Sequence, residues 1–218
     1  DWSASPLGAP AGWPQPLRTV VDLMLQSRFP MFVAWGAELG FLYNDAYAEI
    51  LGAKHPSALG SRFRDIWSEI WSDISPLIDA AMAGHAIYRE DLPLVMNRSG
   101  FDEQTWFTFS YSPVRDEAGA IAGMYCAVKE TTSEVLNERA RLEENERLTS
   151  LFAQAPSVMA VVREPGHVFE LANTAYQTLV GPRELLGRPY REALPELERQ
   201  GFVELLDQVC ATGEPYRA

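Results

Sequence analysis

The sequence predicts an α+β protein with an antiparallel sheet, and three observations lead to this fold class. Two short β-type segments are followed by several helical segments and then by three longer β-type segments. A charged stretch without glycine or proline comes next and predicts a helix. After that stretch the first pattern starts again, which predicts a second copy of the same unit.

An arm and a helix are predicted for residues 1–28. Residues 1–16 are rich in Pro, Gly, Ala and Ser, with Trp2 and Trp13 as isolated anchors, and they predict an extended arm on a domain surface. Apolar residues then recur at helical spacing over 16–26. A proline at the start of this helix is tolerated, because its missing N–H would have had no partner.

A β-hairpin and a capped helix are predicted next. Residues 31–35 and 39–43 are short β-type runs separated by a turn that contains glycine. Asn44 is predicted to cap the following helix, and Gly52 to end it in the left-handed conformation. The remaining helices predicted for this unit are short segments at 56–59 and 63–67 and a longer one at 72–83.

Three β-type segments complete the unit, at 86–95, 104–114 and 120–128. The last two are joined by a turn in which Gly119 can supply a positive φ. Within residues 106–111 large side chains point to both faces, with Phe107 on one and Trp106 on the other. We therefore expect both faces of the sheet to be covered.

Residues 131–155 predict a connecting helix. It would extend about 37 Å over its 25 residues. The apolar stripe is uneven and covers fewer than four heptads, but it favours a parallel homodimer through this helix. The stripe consists of Val135, Leu136, Leu142, Leu148, Leu151 and Phe152.

The pattern then repeats at a constant spacing of 126 to 129 residues. Asn44 is echoed by Asn173 and Gly84 by Gly213, and the tandem duplication predicts a second unit at 156–218. This copy lacks counterparts of residues 86–128, and a two-stranded remnant is marginal in water. We expect it to be supported by the connecting helix or by another chain. The predicted plan is an arm and helix at 1–28, a first domain at 29–130, a connecting helix at 131–155 and the first half of a second domain at 156–218.

Several ordered motifs resemble the PAS family of small sensory domains. The resemblance implies a five-stranded antiparallel sheet with helices on one side. At 129–132 the chain departs from the family's Asp-Ile-Thr exit motif, with Glu130 for Asp and Thr131 for Ile. The motifs are Asn44-Asp45-Ala46-Tyr47, Leu59-Gly60, Trp106, Ser112-Pro113-Val114-Arg115-Asp116 with Gly119, and Lys129-Glu130-Thr131-Thr132.

A narrower resemblance involves the N-terminal residues. It is to the N-terminal sensory region of bacterial multi-sensor histidine kinases, often hybrid ones, and it implies a two-component phosphorelay protein. The two cysteines form no disulfide framework, which suits a reducing cytoplasm. The kinase core is absent, because His55, His85 and His167 stand in turns and not in a helical acidic context. No catalysis is therefore expected of this chain. The residues concerned are Trp2-Ser3, Pro6-Leu7-Gly8, Trp13-Pro14, Leu17-Arg18, Phe29-Pro30-Met31 and 41–47.

The resemblance implies a small-molecule pocket between sheet and helices. Side chains at these positions equally fill an ordinary core, so both interpretations stay open. Glu130, Thr131 and Thr132 are the candidates for transmitting a signal from sheet to helix. The candidate ligand-binding residues are Phe32, Tyr47, Trp67, Ile74, Ile78, Phe107, Phe109, Tyr111 and Cys126, with Ala34 and Ile50 beside them.

No cofactor is predicted. Residues 61–65 lack the reactive cysteine of flavin-binding relatives, and the helix at 72–83 lacks the histidine of haem relatives, since His85 stands just outside it. The three histidines show no metal-ligand spacing and are expected to be exposed loop side chains. Cys126 is expected to be a buried small hydrophobe.

Charge and hydropathy exclude other partners. The net charge of −12 argues against nucleic acid, because phosphate binding requires clustered Lys and Arg. No apolar run is long enough for a transmembrane helix.

Two functions from different classes remain. The first is a ligand- or redox-sensing input module of a histidine kinase. The second is a ligand-free dimerisation or spacer module of a protein with kinase, cyclase or phosphatase output. A third, a small hydrolase, is disfavoured because Gly-x-Ser-x-Gly is missing and neither cysteine has a nearby histidine.

Overall fold

The computed structural model describes residues 2–198 and 200–216. The predicted arm and second domain also include Asp1, Arg199 and 217–218, which lie outside the described residues. The chain divides into two compact units between Glu138 and Arg139. Among the described residues, every helix is too short or too polar to cross a bilayer.

The first unit has the predicted order of elements, except that the short helix expected at 56–59 is wrong: residues 55–60 form turns there, after a 3₁₀ turn at Gly52–Lys54. Its elements are α1 (Gln15–Gln26), β1 (Met31–Trp35), β2 (Gly40–Tyr43), α2 (Asp45–Leu51), α3 (Phe63–Ile66), α4 (Trp71–Met82), β3 (Ile87–Met96), β4 (Glu103–Arg115) and β5 (Ile121–Glu130). Helix α5 (Thr132–Gln154) follows and crosses the division between the units.

The five strands form one antiparallel sheet in the order β2-β1-β5-β4-β3. The central strand β5 pairs with β1 at Cys126↔Phe32 and with β4 at Cys126↔Tyr111. This register places Phe32, Cys126 and Tyr111 side by side on one face, where α2, α3 and α4 cover them. The predicted fold class is confirmed.

The other face is covered at β1 and β2 by α1. Leu17 and Met24 of this helix are buried with Val33 and Leu42 of the strands. The expected cover on both faces is thus present at this end of the sheet, and α1 provides it.

The N-terminal arm differs from the extended segment that was predicted. It contains two 3₁₀ turns, at Trp2–Ala4 and Pro10–Gly12. Between them Leu7 packs directly on Gly40 of β2, where an added Cβ atom would overlap the Leu7 side chain. A larger residue at this position would force the Leu7 side chain to move.

The second unit contains a short hairpin followed by helices. Six buried side chains form its core: Phe169, Leu185, Tyr190, Ala193, Leu194 and Val203. None of the six comes from α5. The elements are β6 (Ala160–Arg163), β7 (Val168–Ala172), α6 (Thr174–Val180), α7 (Tyr190–Ala193), α8 (Pro195–Glu198) and α9 (Phe202–Thr212).

Equivalent backbone details confirm that the second unit repeats the first. Asn44 and Asn173 each accept a hydrogen bond from the backbone N–H three residues later, at 3.1 and 2.9 Å. Leu39 and His167 have the positive φ values of 51° and 50° at the same place in each hairpin. Such shared exceptions are expected only where the same structural unit occurs twice.

Candidate functional site

A cavity of about 40 Å³ lies between the sheet and the helices of the first unit. Eight of the nine predicted ligand-binding residues line it, and Ile78 is buried nearby without lining it. Sequence reasoning missed five lining residues, although the alternation along β3 could have indicated two of them. The missed residues are Phe63, Ile70, Leu94, Met96 and Val128.

Three polar groups face one another around this cavity. Burial raises the pKa of the Cys126 thiol well above its usual value. Burial, together with the neighbouring Cys126, likewise raises the pKa of both Tyr47 and Tyr111. All three groups are therefore neutral near pH 7, and the Cys126 thiol is a poor nucleophile because the thiolate is the reactive form.

The cavity is small because aromatic rings fill most of the space. The centroid of the Phe32 ring lies 5.0 Å from that of Phe63 and 5.3 Å from that of Tyr47. Ligand pockets for small organic molecules are of the order of 300–1,000 Å³. A volume of about 40 Å³ holds no more than a few water molecules.

The three candidates for signal transmission lie where β5 ends and α5 begins. The Arg98 guanidinium, on the β3–β4 connection, donates two hydrogen bonds to the Glu130 carboxylate, at 2.6 and 2.9 Å. A third Arg98 donor reaches Glu103 Oε2 at 3.2 Å. Arg98 was not among the predicted residues, because a lone arginine in a connection between strands gives no pattern in the sequence.

Thr131 and Thr132 connect the same place to the middle of the sheet. The Thr131 hydroxyl donates to Asp91 Oδ1 at 2.6 Å, and its N–H donates to the Trp106 carbonyl at 2.8 Å. The Thr132 hydroxyl accepts the Trp106 N–H at 3.0 Å and donates to Glu130 Oε1 at 3.0 Å. The start of α5 is therefore held by both β3 and β4.

The charge of Glu130 is stabilised in this arrangement. Burial by itself would raise the pKa of this carboxyl, but the hydrogen bonds and charge of Arg98 outweigh it and lower the pKa below its usual value. The ion pair is largely sheltered, with the Arg98 side chain 14% exposed and that of Glu130 29% exposed. We call Arg98, Glu130, Thr131 and Thr132, with Asp91, the exit network.

One prediction about the histidines is wrong. His55 and His85 are exposed as expected, but His167 is buried. Its ring is enclosed because α9 packs across the β6–β7 turn and brings Asp207 to 2.8 Å from Nε2. Residues so far apart in the chain give no sequence spacing that would reveal the contact.

Comparison with known proteins identifies the fold family. The PAS fold family matches this chain over residues 30–136 and 152–218. Similar solved structures include an RNA-binding light-oxygen-voltage receptor (19% identity, 64% of this chain and 41% of that chain, TM-score 0.42) and a Rhodobacter sphaeroides LOV protein (18%, 64% and 80%, 0.45). Another is the PAS domain of Bordetella pertussis BvgS (16%, 59% and 97%, 0.37).

The family match covers both units, from the β1–β2 hairpin into α5 and again from the end of α5 onwards. It agrees with the five-stranded sheet and with the repeated hairpin and helix cap. This chain belongs to the PAS fold family of sensory domains.

Proposed function

We propose that this chain is the input module of a two-component sensor histidine kinase, and that the exit network passes a signal from the first PAS domain to α5. The observation that carries the proposal is the exit network itself. A single set of hydrogen bonds joins β3, β4 and β5 to the first residue of α5. The role is transmission, and we assign no catalytic step to these residues.

Transmission follows from where the network is anchored. Asp91 lies at an irregularity in the pairing of β3 with β4 and has a positive φ of 46°. A change in the core that moves β3 relative to β5 must break or re-form the bond from Thr131 to Asp91. A switch requires two discrete arrangements of such an element, and loss of this bond would release the start of α5 from β3.

The core of the first unit does not favour a particular signal. The cavity holds only a few waters, and the Cys126 thiol is buried with a raised pKa, so neither a preformed organic-ligand site nor a reactive thiol supports the sensing role. A small-molecule signal would have to open the aromatic core. The small cavity favours the second candidate, a ligand-free dimerisation or spacer module.

Native mass spectrometry with an absorbance scan of the purified chain separates these two candidates. A retained molecule or a visible absorption band supports the sensor. If the mass and the spectrum are those of the bare polypeptide, the result supports the spacer. The same must hold after the chain has been incubated with extracts of small metabolites.

A kinase output is supported by the resemblance of the N-terminal residues to histidine kinase sensory regions. Autophosphorylation of the parent protein tests it: Thr132→Val should change the basal rate, whereas the exposed Thr149→Val should not. Cyclase or phosphatase activity in the parent, with no phosphorylated histidine, would overturn the kinase assignment.

The coupling is tested on this chain by hydrogen exchange. Thr132→Val removes the acceptor of the Trp106 N–H and should speed exchange of the first-turn amides of α5 about fivefold to tenfold, since one such bond is worth about 1 kcal/mol. Thr149→Val is the matched control, because the Thr149 hydroxyl is exposed and donates within the helix, to the Asn145 carbonyl. Equal exchange in both variants would contradict the proposed coupling.

A further inference from the structure

The buried His167 has one ring nitrogen in a hydrogen bond and the other against a carboxylate without hydrogen-bond geometry. It stands in the β6–β7 turn with a φ of 50°, and its side chain is 5% exposed. Nε2 lies 2.8 Å from Asp207 Oδ1 on α9, whereas Nδ1 makes no hydrogen bond. A buried polar atom that makes no regular hydrogen bond is rare, so the surroundings of this nitrogen call for an explanation.

Two other metal-binding side chains converge on that nitrogen. One donor atom each from Glu164, His167 and Cys210 all lie within 4.8 Å of one another. Glu164 Oε1 is in ion-pair contact with Nδ1, but without the geometry of a hydrogen bond. The other oxygen, Oε2, accepts the Gly166 N–H at 2.9 Å, which fixes the carboxylate in the turn.

The donor set determines the class of ion. One imidazole nitrogen, one thiolate and one carboxylate oxygen suit Zn²⁺, which binds these three ligand types at about 2.0 to 2.3 Å and keeps a fourth position for water. Mg²⁺ and Ca²⁺ prefer oxygen ligands alone. Glu164 and Cys210 are exposed side chains, so they can draw inwards from their present separation to tetrahedral spacing.

Asp207 occupies the position of an orienting residue. With the imidazole proton on Nε2 and donated to Asp207, the lone pair of Nδ1 would face Glu164 and could be offered to a metal ion between them. Ligating histidines usually donate their second N–H to a carboxylate or carbonyl in this way. Asp207 and Cys210 are three residues apart on α9 and therefore share one helix face.

The equivalent place in the first unit has none of this chemistry. Leu39 matches His167 in φ and in accepting a backbone hydrogen bond through its carbonyl. Gly84 follows α4 in the first unit, and Gly213 follows α9 in the second. The residues six positions before these glycines are Ile78 and Asp207, and those three positions before them are Ala81 and Cys210. The three polar groups of the second unit thus stand where the first unit has the apolar side chains Leu39, Ile78 and Ala81.

We propose that Glu164, His167 and Cys210 bind Zn²⁺, with Asp207 positioning the imidazole and water completing the coordination. The site would tie the β6–β7 turn to α9 in a unit whose buried core is small. The pKa of the Cys210 thiol is raised by desolvation and by the Glu164 carboxylate. Binding therefore has to displace a proton from the thiol, and the affinity should increase with pH.

The test is zinc binding by the full chain in a reducing buffer without thiols. We expect one Zn²⁺ retained per chain after dialysis, no retention of Mg²⁺, and a thiolate-to-cobalt absorption band when Co²⁺ replaces zinc. Cys210→Ser should remove that band. Asp207→Asn should keep the band and weaken zinc binding about 10- to 100-fold, as loss of an outer carboxylate does.

His85→Gln is the matched control, because His85 is exposed and distant in sequence from the site. It should bind zinc as the unsubstituted chain does. The proposal is overturned if zinc is not retained, if the cobalt band persists in Cys210→Ser, or if His85→Gln weakens binding as much as Asp207→Asn.

Discussion

A few buried polar side chains hold several segments of the first unit together, and Asn44 shows how. This side chain is 2% exposed. Its oxygen accepts the Met31 and Tyr47 N–H groups, both at 3.1 Å. Its nitrogen faces the carbonyls of Met24, Ser27 and Phe29 at 2.8 to 3.1 Å. The cap predicted from sequence is confirmed, but the contacts with the end of α1 depend on the tertiary fold.

Asn44→Asp should destabilise the first unit by about 3 kcal/mol. The carboxylate has no donor for the three carbonyls and is costly to bury. Urea denaturation followed by circular dichroism measures the free energy of unfolding. Asn137→Asp, on the exposed surface of α5, should change it by less than about 0.5 kcal/mol. A loss below about 1 kcal/mol for Asn44→Asp would contradict the role given to the amide.

The Arg98–Glu130 pair predicts a pH dependence. The pKa of Glu130 is lower in the folded chain, so its contribution to stability is present above its unfolded pKa of about 4.3 and is lost as the pH falls through the folded value. Arg98→Met should cost about 1–3 kcal/mol at pH 7, because the Glu130 carboxylate stays half-buried without its partner. The difference in the free energy of unfolding between Arg98→Met and the unsubstituted chain should become smaller near pH 3, where Glu130 becomes protonated.

Arg62→Met is the control for that experiment. Arg62 pairs with Glu38 on the surface, with side chains 55% and 52% exposed, and such pairs are worth about 0–1 kcal/mol. Urea denaturation at both pH values compares the two variants. If Arg98→Met lowers the free energy of unfolding by the same amount at both pH values, the arginine stabilises the fold through its packing and not through its charge.

At the scale of elements, the N-terminal arm is packed on the sheet through the close contact of Leu7 with Gly40. Gly40→Ala places a Cβ atom against Leu7 and should either displace the arm or cost about 1–3 kcal/mol through overpacking. Gly12→Ala is the control, since nothing lies within 4 Å of a Cβ there and its φ is not positive. Hydrogen exchange over residues 2–14 and urea denaturation measure the two effects. Unchanged results for Gly40→Ala would contradict the packing of Leu7.

Most elements were predictable because their signals are local. Alternation in the strands and the cap at Asn44 act within a few residues, and the structure places those elements where they predict. Helix α2 ends before Gly52 as predicted, but Gly52 has φ 54° and ψ −126°, so the left-handed conformation expected there is wrong. The 3₁₀ turns of the arm were not predictable, since the docking of Leu7 on Gly40 brings together residues distant in sequence. His167 was misjudged for the same reason: Asp207 and α9, which enclose it, follow 40 residues later.

At the scale of the whole molecule, the remaining proposal is a homodimer through α5. Leu142 and Leu148 are 47% and 54% exposed on this helix. If they meet a second copy, Leu142→Glu should weaken dimerisation at least tenfold by burying a charge in the seam. Sedimentation velocity at several concentrations measures the association.

Leu59→Glu is a control of matched exposure, because Leu59 is 48% exposed and belongs to the first unit away from α5. It should leave the association unchanged. A monomer at all concentrations, or equal effects of both substitutions, would exclude α5 as the interface.

The division of the chain near Glu138 has a practical consequence for optical measurements. All six tryptophans precede this point, the last being Trp106, so the second unit contains none. Intrinsic fluorescence excited at the indole band therefore reports on the first unit alone, whereas far-ultraviolet ellipticity reports on both. Recording the two signals on one sample resolves unfolding of the half-repeat from that of the complete repeat without any label.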